Sequence, residues 1–144
     1  MGDISENLPN LSAYPCSGVT EVSPAMTSGN AEPILHEIRH AVTRLSEDGQ
    51  ETVIDLRAMP FGPDDEKRLE EVLGRGDVEA SVKGVGRSSV RETSVSGVWV
   101  VEHFDDEGRI LSKFIEVTFV PSILKALQED VEDGLRAFIA HLST

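Results

Sequence analysis

Residues 77–120 read DVEASVKGVGRSSVRETSVSGVWVVEHFDDEGRILSKFIEVTFV. Over this stretch the hydrophobic pattern shifts from the helical period of about 3.6 to the strand period of about 2. DVEASVKGV, SSVRETSV, GVWVVEHF and RILSKFIEVTFV predict four strands. Asp105-Asp106-Glu107-Gly108 predicts a hairpin turn, with Gly108 available for positive φ. Four successive strands with short connections are most simply an antiparallel meander.

Upstream, the pattern is helical. From Glu32 to Asp48 the apolar residues Ile34, Leu35, Ile38, Ala41, Val42 and Leu45 recur at helical spacing, with Asn30 as cap, Pro33 in the first turn and Gly49 as the stop. ETVIDL, residues 51–56, is a short apolar run with little polar alternation, which predicts a strand covered on both faces. Asp64, Asp65 and Glu66 follow Pro63 and place negative charge on the first turn of a second helix, ending near LGRG at residues 73–76. Beyond Pro121, the residues Val131, Leu135, Phe138, Ile139 and Leu142 predict a closing amphipathic helix, to which Gly134 is a cost of roughly 1 kcal/mol relative to alanine. The expected fold is α+β: a mainly antiparallel sheet of about five strands, with three helices packed largely on one face.

The 144 residues suit a single domain at 31–144, preceded by a flexible tail at 1–30 rich in Ser, Pro, Gly, Asn and Thr. No apolar run approaches the ~18 residues that span a bilayer, and MGDISENLPNLSAYP lacks the features of a secretory signal, so a cytoplasmic location is expected. The net charge is -13, from 13 Lys and Arg against 26 Asp and Glu. So acidic a surface repels phosphate backbones and anionic lipids and suits a basic partner segment. Neither nucleic acid nor membrane is expected as a partner. Cys16 is the only cysteine, which excludes an intrachain disulfide and a cysteine-ligated cluster built by this chain alone.

HEIRH, residues 36–40, spells the H-E-x-x-H of zinc peptidases. On a helical wheel at about 100° per residue, the apolar residues of the first helix fall within about 60° of Ile38, and His36 and His40 fall near ±160°. The pair therefore faces away from the core. A catalytic zinc needs a third protein ligand, and AVTRLSEDG after His40 does not continue the longer H-x-x-G-x-x-H pattern. Two exposed histidines and a glutamate on a solvated face are the simpler reading.

Other constellations are weaker. Glu102 and Glu116, on adjacent predicted strands, offer a carboxylate pair of the glycosidase kind, although two surface glutamates are commoner in an acidic protein. KGVGRSS lacks the spacing of a P-loop or dinucleotide fingerprint. Trp99 reads as a core anchor. Arg91 and Glu92, as strand neighbours, point to opposite faces. The loop RAMPFGP differs in kind: Met59 and Phe61, held between prolines beside Arg57, form a stiffened apolar segment able to meet a protein at low entropic cost, or else to fold back on the core. The candidate partner-binding residues are Arg57, Met59, Phe61, Arg87, Arg91 and Glu92; no catalytic, cofactor-binding or metal-binding set is assigned.

Taken together, ETVIDLRAMP, LGRGDVEASVKGVGRSSVRETSVSGVWVVEHFDDEGRI and FIEVTFVPSILKALQEDVEDGL resemble the C-terminal region of the HupH/HyaF family of hydrogenase expression/formation proteins, from about Ile34 to Leu142. The densest likeness runs from Gly86 to Gly97 and on through Val98, Trp99, Val101, Glu102 and His103. The resemblance implies a cytoplasmic, non-enzymatic accessory role in [NiFe] uptake hydrogenase maturation. The implied partner is an immature hydrogenase subunit or another maturation factor, and no cofactor is implied. Free strand edges also permit a homodimer. A small zinc hydrolase using His36, Glu37 and His40, and a small-molecule module with a pocket between sheet and helices, are the alternatives.

Overall fold

In the computed structural model, residues 29–144 are described; the expected tail and Cys16 lie outside them, apart from the last two tail positions. The elements are helix α1 (Ala31–Asp48), strand β1 (Thr52–Asp55), helix α2 (Pro63–Leu73), strands β2 (Glu79–Lys83), β3 (Arg87–Glu92), β4 (Val98–Phe104) and β5 (Ile110–Val117), a 3-10 turn (Ser122–Leu124) and helix α3 (Gln128–Leu142). The sheet order is β1-β5-β4-β3-β2, and every neighbouring pair is antiparallel. The meander thus forms as the period of two requires. β1 returns to pair with β5, leaving β1 and β2 as the edges.

β4 is the central strand, and Val98, Trp99, Val100 and Val101 are all buried, so it is VWVV that is covered on both faces. ETVIDL is not. Only Ile54 of β1 is buried, and Val53, opposite Glu116 on the other face, is 62% exposed. An apolar run of this length cannot show whether a strand lies at the middle of a sheet or at its edge, and here β1 is at the edge.

One face of the sheet carries the main core. Val98, Val100, Ile115 and Val117 meet Ile34, Ile38, Ala41 and Leu45 of α1 and Leu69 and Leu73 of α2. The α1 stripe is the one its apolar spacing predicts, closed by Gly49 in the left-handed region at φ 71°, where its N–H reaches the carbonyls of Arg44 and Leu45. Asn30 flanks the start of α1 as expected, but its amide donates to the Pro60 carbonyl rather than capping the helix, which ties α1 to the RAMPFGP loop. At the start of α2, the buried Asp65 carboxylate accepts the Gly62 N–H at 3.1 Å, satisfying a donor that the first turn leaves open.

The opposite face holds a smaller cluster of Val90, Trp99 and Val101, packed by Ala80, Phe114, Ile123 and Leu124. Trp99 is the anchor its strand position predicts, with its indole N–H donating to the Thr118 carbonyl at 3.0 Å. The hairpin turn is built around Asp105, whose carboxylate accepts the backbone N–H groups of Glu107 and Arg109, with Gly108 at φ 83°. Helix α3 forms over the predicted residues but buries none of them. The helices packed on the main face are α1 and α2. Helical spacing fixes where the apolar stripe of α3 lies on its own surface, not what covers it.

Candidate functional site

The RAMPFGP loop runs directly from the edge strand β1 into α2. Its conformation follows from local bonds: the Asp55 carboxylate accepts the Arg57 N–H at 2.9 Å, and the Arg57 guanidinium donates to the Ile110 carbonyl at 3.2 Å. Met59 and Phe61 are half-buried against the main core, while Arg57 is exposed. The apolar pair therefore does both things its sequence allows, folding partly onto the core and presenting its remaining surface beside a cation.

Beside the loop lies an open cleft of about 280 Å³ lined by Leu56, Arg57, Met59, Phe61, Glu66 and Lys113. Lys113 projects from β5 on the face that carries Ile115 and Val117, and it is buried. Its ammonium stands 3.4 Å from Glu102 on β4 and 3.8 Å from Glu66 on α2. Charges removed from water in this way require such partners. Glu66 and Lys113 also border a second, narrower hollow of about 10 Å³, which Arg91 helps to line. That volume is about one water.

The structure therefore gathers Arg57, Met59 and Phe61 into one cleft and places Arg91 at the neighbouring hollow that shares Glu66 and Lys113 with it. Glu92 points elsewhere, as strand alternation predicts, and accepts the Gly97 N–H at 3.3 Å. Arg91 and Glu92 are half-buried rather than an exposed pair. Arg87 is remote from the loop: its guanidinium lies over the Phe104 ring, 4.5 Å from the centroid, beside the β2–β3 turn. Lys113 is the residue that sequence reasoning missed. The signal is its parity, since a lysine two positions before Ile115 must face inward on the same strand.

His36, Glu37 and His40 are all exposed on the side of α1 opposite its buried stripe. Among the described residues no three His, Cys, Asp or Glu side chains are grouped to hold a metal. Glu102 and Glu116 do not form a carboxylate pair. Glu102 is opposite Lys113 on the helix-covered face, whereas Glu116 is opposite Trp99 and projects from the other. On that second face Ser88 Oγ and His103 Nδ1 share a 2.7 Å hydrogen bond across β3 and β4, and the His103 ring meets Phe114 edge-on. Burial pushes the Glu116 carboxyl up, His103 opposes that shift, and Glu51 adds to it. No described helix is long and apolar enough to cross a membrane.

These features define a small α+β domain whose distinctive surface is a proline-stiffened apolar loop over a charge-paired cleft. The chain belongs to the HupH hydrogenase expression protein family, whose C-terminal conserved region matches residues 29–144. It is 35% identical over 107 residues to the hydrogenase expression/formation protein HoxQ of Azotobacter vinelandii, covering 73% of this chain and 38% of that protein. It is 30% identical over 105 residues to the hydrogenase expression/formation protein HupH of Rhizobium leguminosarum bv. viciae, covering 73% and 37%. The chain thus spans less than two-fifths of the length of these relatives. The hydrogenase expression protein HupH from Thiobacillus denitrificans has a similar solved structure, with a TM-score of 0.76 and 36% identity over 80% of this chain and 96% of that one.

Proposed function

We propose that this protein is an accessory factor for maturation of a [NiFe] uptake hydrogenase, acting in the cytoplasm by binding an immature hydrogenase subunit or another maturation factor, without turnover of its own. Family membership supports the hydrogenase role. The observation that carries the binding reading is the cleft that joins Arg57, Met59 and Phe61 to Lys113 and Glu66. It offers a partly preformed, mainly polar hollow with charges of both signs beside the half-buried side chains of Met59 and Phe61, an arrangement that docks a polar or charged polypeptide side chain with little ordering cost.

The test is recovery of hydrogenase components by tagged protein from cells maturing the enzyme, with a charge-matched acidic protein as control. Wild-type protein enriches a hydrogenase subunit or maturation factor. The double variant Arg57→Glu, Phe61→Ser loses about tenfold in affinity, equivalent to about 1.4 kcal/mol, and keeps the circular dichroism of the folded domain. Equal recovery by wild type and the acidic control defeats the proposal.

A further inference from the structure

Helix α3 presents an apolar face that none of the described residues covers. Leu127, Val131, Leu135, Phe138, Ile139 and Leu142 are between 53% and 71% exposed. On a wheel centred on Val131 they occupy an arc of about 120°, the width of a face that normally meets protein. Each such side chain gains when it is removed from water, and a contiguous stripe of them in water marks an interaction surface.

We propose that the stripe is covered by α3 of a second copy of this chain, packed antiparallel, so that two chains form a twofold dimer through their terminal helices. The spacing supports self-pairing. Val131, Leu135, Phe138 and Leu142 follow one another at intervals of four, three and four, the seam of a two-helix contact. That sequence of intervals reads the same in both directions. A twofold axis between positions 136 and 137 therefore sets Val131 against the partner's Leu142 and Leu135 against the partner's Phe138.

Charge selects the antiparallel sense. Glu129, Asp130, Glu132 and Asp133 all lie in the first half of α3, and Arg136 and His141 in the second. Parallel helices would set the Asp130 and Glu132 carboxylates, which flank the stripe on its two sides near −100° and +100°, against the partner's Glu132 and Asp130 at the same height, whereas antiparallel helices separate them and oppose the two macrodipoles. Asp130 and His141 border the same side of the stripe, near −100° and −80° on the wheel, which brings each Asp130 alongside the partner's His141. Gly134 lies on that border too, where an added Cβ would meet nothing within 4 Å. In a single chain it only weakens the helix; in the pair it lets the two backbones approach. The net charge of -13 opposes association, but charges separated by more than about 8 Å are screened at physiological ionic strength. The dimer uses α3 rather than the sheet edges and stands apart from the hydrogenase reading.

The experiment is sedimentation velocity of the full chain in physiological salt from micromolar to submillimolar concentration. The expected result is a shift to twice the monomer mass, with Leu135→Glu and Phe138→Glu each weakening association more than tenfold. Because α3 buries none of its residues, these variants keep the wild-type Trp99 fluorescence, and their melting temperature matches that of wild type at concentrations where wild type is monomeric. In a Cys16→Ser background, mixed Val131→Cys and Leu142→Cys chains should cross-link on oxidation. A monomer at every concentration, a dimer unaffected by both glutamates, or a monomer that instead takes up a basic amphipathic peptide on α3 overturns the proposal.

Discussion

Lys113 holds three elements in register, since Glu102 on β4 and Glu66 on α2 both approach its ammonium from outside β5. With a lysine side chain 9% exposed and a Glu102 side chain 17% exposed, loss of one partner strands the other charge. Lys113→Met should therefore cost about 2–4 kcal/mol in urea unfolding, and adding Glu102→Gln should recover part of the loss. An equal loss in the double variant would mean that packing, not charge pairing, is responsible. Glu116 acts in the opposite direction. Burial raises its carboxyl, so the folded chain holds the proton more tightly than the unfolded one. Its favourable contribution is complete below the ordinary carboxylate range, near pH 4, and is lost as pH rises through the raised value. Glu116→Gln should be more stable than wild type at neutral pH, with a flatter dependence across mildly acidic pH; parallel curves for the two proteins would refute this. Gly76 is fixed by space: an added Cβ would stand 2.5 Å from the Thr93 carbonyl oxygen. Gly76→Ala should destabilise by about 1–3 kcal/mol. Gly84→Ala, whose Cβ meets only the Gly86 carbonyl oxygen at 3.8 Å, should stay within about 0.5 kcal/mol of wild type, and thermal unfolding of the pair tests the contrast.

At the scale of elements, periodicity carried most of the fold. The buried residues of α1 are Ala31, Ile34, Ile38, Ala41 and Leu45, four of them spaced as the helical wheel requires and the first lying one residue before the predicted start. Three of the meander strands fall inside their alternating segments, trimmed at the ends where pairing stops, and β3 begins one residue earlier, at Arg87. What the sequence left hidden was each element's neighbour. ETVIDL and VWVV are both short apolar runs, yet one is an edge strand and the other the sheet centre, because strand order depends on how distant segments pair. The same limit applies to α3, whose stripe was legible and whose lack of cover was not. Glu102 and Glu116 show it within a single hairpin: one register decides which face each occupies, and that register places them on opposite sides. Of the candidate site, Arg57, Met59 and Phe61 could be read as a unit because they adjoin in sequence, whereas Lys113 joins them only through the pairing of β1 with β5.

At the scale of the whole molecule, the loop cleft and the apolar α3 stripe are separate surfaces on a strongly acidic chain. The first is lined by core-packed residues and charges of both signs, and the second stands on a helix that buries nothing. This division suits the two contacts proposed above, the cleft with a hydrogenase component and the stripe with a second copy. The contact proposed for the cleft is the one on which the functional reading rests. Its most direct measurement is photo-cross-linking in hydrogenase-maturing cells, with a photoreactive phenylalanine analogue placed at Phe61 in one protein and at His36, on the solvent side of α1, in another. Cross-links are expected from position 61 to a hydrogenase subunit precursor or maturation factor, and none from position 36. No hydrogenase component captured at position 61, or equal capture at both positions, would contradict it.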